Sequence, residues 1–216
     1  MSKKISSQHF STDWTIGLAD INSTEWDNGI DIVRERFESR YFKPIDQLLH
    51  STDTKVKYNC GFLVMTIDCL LIETLNQFYL GLYTSEDKYY RTNPDINFKY
   101  NKQSFRDFFR HSSFFPDFKA DETLSNILYS EIRCGLLHQA QSKTNSLINV
   151  RELGMVTLVD NNDPTKGLII NRELFHQAMY KEFDKYLRDL ETATSVNIFG
   201  ENLREKCNRK MRDLCT

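Results

Sequence analysis

Proline and glycine are scarce in this chain, four and eight of 216 residues, which leaves little room for long linkers or low-complexity tracts. Cysteine is present without the spacing that its chemistry needs. Cys60, Cys69, Cys134, Cys207 and Cys215 form no CxxC pair and no zinc-like pattern, and an odd number of thiols, two of them in an apolar stretch, points to a reducing compartment. No uninterrupted apolar run reaches the roughly 18 to 20 residues that cross a bilayer, and residues 1–20 lack the apolar centre of a signal peptide. Cytoplasm is therefore the expected location, and no membrane partner is expected. Charge of one sign is missing as well. With 28 basic and 30 acidic side chains the net charge is -2, so no global field recruits nucleic acid and any basic surface must be local. The chain also lacks GxxxxGK(S/T), GxGxxG, HExxH and GxSxG, the signatures of nucleotide folds, zincins and serine hydrolases. His9, His50, His111 and His176 stand alone, with no partners at metal spacing, and read as surface or structural residues. No cofactor and no metal are expected.

What is present is helical patterning in a chain whose composition, 40% apolar and 27% charged, is that of an ordinary globular protein. The length suits one domain with appended elements. Residues 1–23 form a polar arm with Phe10, Trp14 and Ile16 as isolated apolar points. From Thr24 to His50, Ile30, Val33, Phe37, Tyr41, Ile45 and Leu48 recur at three and four, the helical period, with Pro44 as a candidate interruption. Ser51, Thr52 and Asp53 supply cap chemistry for a second helix to about Thr84, apolar around much of its circumference and so expected to be central and buried. Asp121 starts a third, with Leu124, Leu128, Ile132 and Leu136 at intervals of four, ending near Gln141 to Thr144. Short β-rich runs between about 146 and 171 predict a small antiparallel hairpin or three-stranded sheet. Asn171 then caps a helix to Thr192. The segment 193–216 holds a last short helix with Leu203, Cys207, Met211 and Leu214 on one side.

Two stretches mix aromatic or apolar residues with positive charge. Phe78 to Phe118 holds nearly half of the aromatic residues, interleaved with Lys88, Arg91, Lys99, Lys102, Arg106 and Arg110, and Asn93-Pro94-Asp95 reads as a turn. Such a mixture can stack single-stranded nucleic acid, but Phe105, Phe108 and Phe109 fit the core face of a short helix better. The last helix carries Arg204, Lys206, Arg209, Lys210 and Arg212. A phosphate-facing patch is one account of them, and a solvated amphipathic face is the simpler one.

The string Tyr129-Ser130-Glu131-Ile132-Arg133-Cys134-Gly135-Leu136-Leu137-His138-Gln139 is different in kind. It resembles the Arg-x4-His signature of the HEPN superfamily, helical domains found in toxin-antitoxin, abortive-infection and RNA-guided ribonucleases. The specific likeness covers about 25 residues, and the helical order supports it loosely from Thr24 to Thr192. The resemblance implies a mainly α fold, a HEPN-like helical bundle over 24–192 with the β insertion inside it. It also implies RNA as substrate, a 2′,3′-cyclic phosphate product, no required metal, a homodimer whose protomers share the catalytic residues, and an antitoxin or defence-system partner. Many catalytic members carry a polar residue after the arginine; here it is Cys134. A catalytically inactive HEPN-like module that binds RNA, a nucleotide or a protein partner is the alternative.

The residues themselves fit the chemistry. Metal-free RNA cleavage needs the ribose 2′-OH deprotonated, the leaving 5′-oxygen protonated and the phosphoryl charge met by a cation. Histidine suits the first two tasks and arginine the third. His138 is thus the expected general acid/base and Arg133 the clamp, with Tyr129, Glu131 and Gln139 as supports. Asp68 and Glu73, acids in an apolar helix, are expected to be partnered and available to hold Arg133. On an ideal helix Arg133 and His138 lie about 140° and about 7.5 Å apart. Either the helix loosens near Gly135 or a second copy completes the site, and the dimer is the expected solution.

Overall fold

A computed structural model describes residues 2–14, 20–82, 100–143, 145–192 and 202–216. Within them the chain is mainly helical. Helix α1, Trp26–Phe37, runs without a break through a π-helical turn, Glu38–Phe42, into α2, Lys43–Leu49. Pro44 sits in the first turn of α2, where its missing N–H does no harm, so the interruption expected there is a widened turn instead. Asp53 caps α3, Thr54–Asn59, by accepting from Lys55 N at 2.8 Å. The chain pauses at Cys60 and resumes as α4, Gly61–Leu80, which Gly81 ends in the left-handed conformation that glycine tolerates.

Helix α4 is the centre of the fold. Val64, Met65, Asp68, Cys69, Leu71, Ile72, Leu75 and Phe78 on it are buried, and it packs against α5, Tyr100–His111, against α9, Arg172–Thr192, and against α10, Leu203–Cys215. Among the described residues it is the one helix long and apolar enough to cross a membrane. Its covered faces and its two carboxylates identify it as the core helix of this bundle.

Phe105, Phe108 and Phe109 of α5 are core residues. They join Phe115, Phe118 and Phe175 in a cluster whose ring pairs include a stacked Phe109–Phe118 at 4.4 Å and an edge-on Phe115–Phe175 at 4.9 Å. Lys88, Arg91, Lys99 and the Asn93-Pro94-Asp95 turn lie outside the described residues. The five cysteines are free thiols.

The small sheet departs from the antiparallel expectation. Strands β1, Leu147–Asn149, β2, Val156–Leu158, and β3, Leu168–Asn171, are ordered β1-β3-β2, with β3 antiparallel to β2 but parallel to β1. Residues 150–167, which include β2, serve as the long crossover that a parallel pair requires. Asn171 ends β3 and caps α9 by accepting from Glu173 N and Leu174 N.

The arm and the last helix are built into one hydrophobic core that includes Ile5, Trp14, Leu203, Cys207 and Met211. Trp14 donates through Nε1 to Asn208 Oδ1 at 2.9 Å, and the Arg36 guanidinium donates to the Ile5 carbonyl. Three of the basic residues of α10, Arg204, Lys206 and Lys210, are buried and not part of a solvated face, whereas Arg212 is exposed. Lys206 is 1% exposed, and Arg204 donates to the carbonyl oxygens of Leu190, Ile21 and Glu191.

Candidate functional site

Asp121 caps the motif helix as expected, accepting from Thr123 N at 2.8 Å. The helix begins as α7, Glu122–Ile127, widens into a π-helical turn over Leu128–Arg133, and returns to α-helix as α8, Cys134–Gln139. π-Turns add a residue to a helical turn and re-aim the side chains that follow. This one ends on Arg133, so the helix loosens before the motif rather than at Gly135. Gly135 is needed for a different reason. A Cβ there would run into the carbonyl oxygen of Gln141, because the chain folds back closely after Ala140 takes a left-handed conformation at φ 53°.

Arg133 reaches back to α4. Its Nε donates to Glu73 Oε1 at 2.9 Å, with the two side chains 14% and 15% exposed. The guanidinium carbon lies 5.3 Å from the ring centroid of Tyr129, within cation–π range. Burial raises the Glu73 carboxyl above its ordinary range, and the arginine offsets that only in part. Burial alone would lower Arg133, but Glu73 outweighs it and holds the guanidinium charged. The Tyr129 hydroxyl, largely desolvated and beside Cys134, is pushed up to about 12. The bond to Glu73 uses Nε; no hydrogen bond engages Nη1 or Nη2 among the described residues.

The other motif residues lie apart from this cluster. His138 and Gln139 are exposed, and no side chain among the described residues hydrogen bonds to His138. Arg133 closes the π-helical turn and His138 follows five residues later in α8, so at α-helical spacing over Cys134–Gln139 the two fall about 140° apart. Glu131 does not supply the carboxylate for Arg133, since Glu73 does; its backbone carbonyl accepts from Lys143 N at 2.9 Å.

Asp68 also differs from expectation, in that it does not hold Arg133. It is fully buried and pairs with His176 of α9, Nδ1 to Oδ1 at 2.7 Å. Burial raises the Asp68 carboxyl, and His176 counters this only in part. Oδ2 of Asp68 has no hydrogen-bond partner among the described residues. His176 is 7% exposed and lines a groove of about 530 Å3 between the α1–α2 helix and α9. Sequence reasoning set His176 aside as a lone histidine. The only hint of its role was the uncompensated acid at position 68, which required a buried partner from some distant segment.

Comparison of the chain with protein-family models, with curated proteins and with solved structures returns no match.

Proposed function

We propose that this protein is a metal-independent endoribonuclease of HEPN type, acting in defence or toxin-like growth control, in which two copies together form the cleft. One observation carries the reading: Glu73 engages Arg133 through Nε alone, which orients the fork and leaves its terminal Nη groups for a phosphate. His138, in α8, is exposed, and no side chain among the described residues hydrogen bonds to it. In this scheme an imidazole takes the proton from the ribose 2′-OH as that oxygen attacks phosphorus. A second imidazole gives a proton to the departing 5′-oxygen, and Arg133 meets the charge on the phosphoryl oxygens. The products are a 2′,3′-cyclic phosphate and a 5′-hydroxyl. One chain offers a single His138, so the second imidazole comes from another copy. Leu70, three residues before Glu73, and Leu137, beside His138, are exposed apolar side chains that such a copy would cover.

A second reading has its own support. The carboxylate on Arg133 neutralises much of its charge, and Cys134 follows it, which favours an inactive HEPN-like module that binds RNA, a nucleotide or a protein partner. End-labelled RNA incubated with purified protein in EDTA separates the two. The nuclease yields 2′,3′-cyclic ends, and His138→Ala loses on the order of 10²- to 10⁴-fold in rate without changing the melting curve. RNA retained uncut by the wild type selects the second reading, and cleavage undiminished in His138→Ala removes the site assignment.

A further inference from the structure

The groove between the α1–α2 helix and α9 contains none of the motif residues, and its chemistry stands independently of the ribonuclease proposal. At its inner side His176 is nine-tenths buried, with Nδ1 2.7 Å from the Oδ1 of Asp68, which is sealed behind the ring. An ionised carboxylate there can only accept, so it fixes the ring orientation with the proton on Nδ1, and in the neutral ring Nε2 is then an acceptor. No hydrogen-bond partner engages Nε2 among the described residues, and it is not sealed from solvent. An acceptor held so rigidly in a concave site is made for a donor that the protein itself does not supply.

The walls are aromatic. Phe42, buried and stacked on Phe183, lies 5.6 Å from the His176 ring and meets Tyr180 edge-on at 5.1 Å; Tyr180 is 44% exposed. Tyr180 with the edge of Phe42 gives the groove an aromatic side next to the imidazole. Charge is confined to the exposed rim. Lys43 is tied to Glu38 at 3.0 Å in a pair whose lysine is 65% exposed, the kind of surface contact worth little and readily exchanged. Lys181 lines the groove from α9, and no carboxylate among the described residues pairs with it. Glu38 and Asp46 share the rim, and they oppose a highly charged strand such as RNA while tolerating one negative charge beside two lysines.

We propose that this groove is a binding site for a small hydroxyaryl monoanion. The ligand hydroxyl donates to His176 Nε2 at the inner end, its ring lies against Phe42 and Tyr180, and its carboxylate or equivalent group meets Lys181 and Lys43 at the rim. A volume of about 530 Å3 accepts one or two fused rings with room for their substituents.

The probes are 6-hydroxy-2-naphthoate and 4-hydroxybenzoate, set against 2-naphthoate, which lacks the hydroxyl, and 2-naphthol, which lacks the charge. An oligouridylate serves as the polyanion. Binding is followed on the full chain through the imidazole resonances of His176. A hydroxyaryl carboxylate should shift them saturably and bind at least about tenfold more tightly than either truncated probe, since a site built around a hydroxyl is left with an unmet acceptor when it is removed. Lys181→Ala, at an exposed position, should weaken both naphthoates about three- to tenfold. His176→Gln should weaken the hydroxylated probe while leaving 2-naphthoate nearly unchanged, a pattern that general unfolding does not produce. The proposal is overturned if neither hydroxyaryl carboxylate shifts His176 at millimolar concentration, if the hydroxylated and plain naphthoates bind alike, if Lys181→Ala has no effect, or if the oligouridylate competes.

Discussion

Helix α4 sends Glu73 to the motif helix and Asp68 to the groove, five residues and about 140° apart, and the two carboxylates end in different surroundings. Glu73 meets a guanidinium at the edge of the protein, with both side chains partly in contact with water. Asp68 meets an imidazole in the interior, where it is fully covered and one of its oxygens has no donor among the described residues. The first pair can be separated at modest cost because solvent shares the load. The second cannot give up its histidine, since desolvation makes an unpaired interior charge far more expensive than a surface one. Both histidines of interest, His138 and His176, are thus available to ligands, one because nothing covers it and the other because a buried acid holds it against a groove.

Altering one partner of each pair tests this contrast most directly. His176→Ala leaves Asp68 buried and uncompensated and should cost about 3 to 5 kcal/mol in urea unfolding. Glu73→Gln keeps an oxygen acceptor for Arg133 and should cost only about 1 to 2 kcal/mol. Equal losses would mean that the two environments are not distinct.

The pH dependence sharpens the same comparison. Burial raises the Asp68 carboxyl above its ordinary value of 3.8, so the folded protein still holds that proton at a pH where the unfolded chain has released it. The folded state is therefore favoured most by this group below the unfolded value, and that advantage is lost as pH rises through the folded pKa. Asp68→Asn has nothing to titrate. Measured by thermal unfolding, its stability relative to the wild type should improve steadily as pH rises through that window. A constant difference would show that the carboxyl is not perturbed.

The smallest effect expected is at the end of the motif helix. Ala140 adopts φ 53°, a conformation that costs a side chain and suits glycine. Ala140→Gly should add about 0.5 to 1 kcal/mol of stability and leave the proposed RNA cleavage and ligand binding unaffected. A loss of stability would mean that the Ala140 methyl contributes packing that outweighs the strain.

Much of the helical layout was legible from residue order. The three-and-four spacing of Ile30, Val33 and Phe37, the all-round apolarity of Gly61–Leu80, and the caps at Asp53, Asp121 and Asn171 are local signals, and each marks an element that formed. The candidate site was legible in part. Arg133 and Glu73 were named and do meet, yet Asp68 was assigned to the same arginine although its position on α4, about 140° from Glu73, puts it on another face. The basic residues of α10 looked like a solvated face because lysine and arginine usually are one; the carbonyl oxygens that hold Arg204 come from the ends of other elements and leave no trace in the spacing.

Sequence alone determined the helical class of the protein, the caps that start several of its helices and many of the apolar faces that had to be buried, because backbone periodicity and capping act over three or four residues. Only the tertiary structure decided that Asp68 belongs to His176, that β3 lies between β1 and β2, and that helix widening ends on Arg133. Those outcomes depend on which distant surfaces compete for the same space, and a buried charge accepts whichever partner the packing brings within reach.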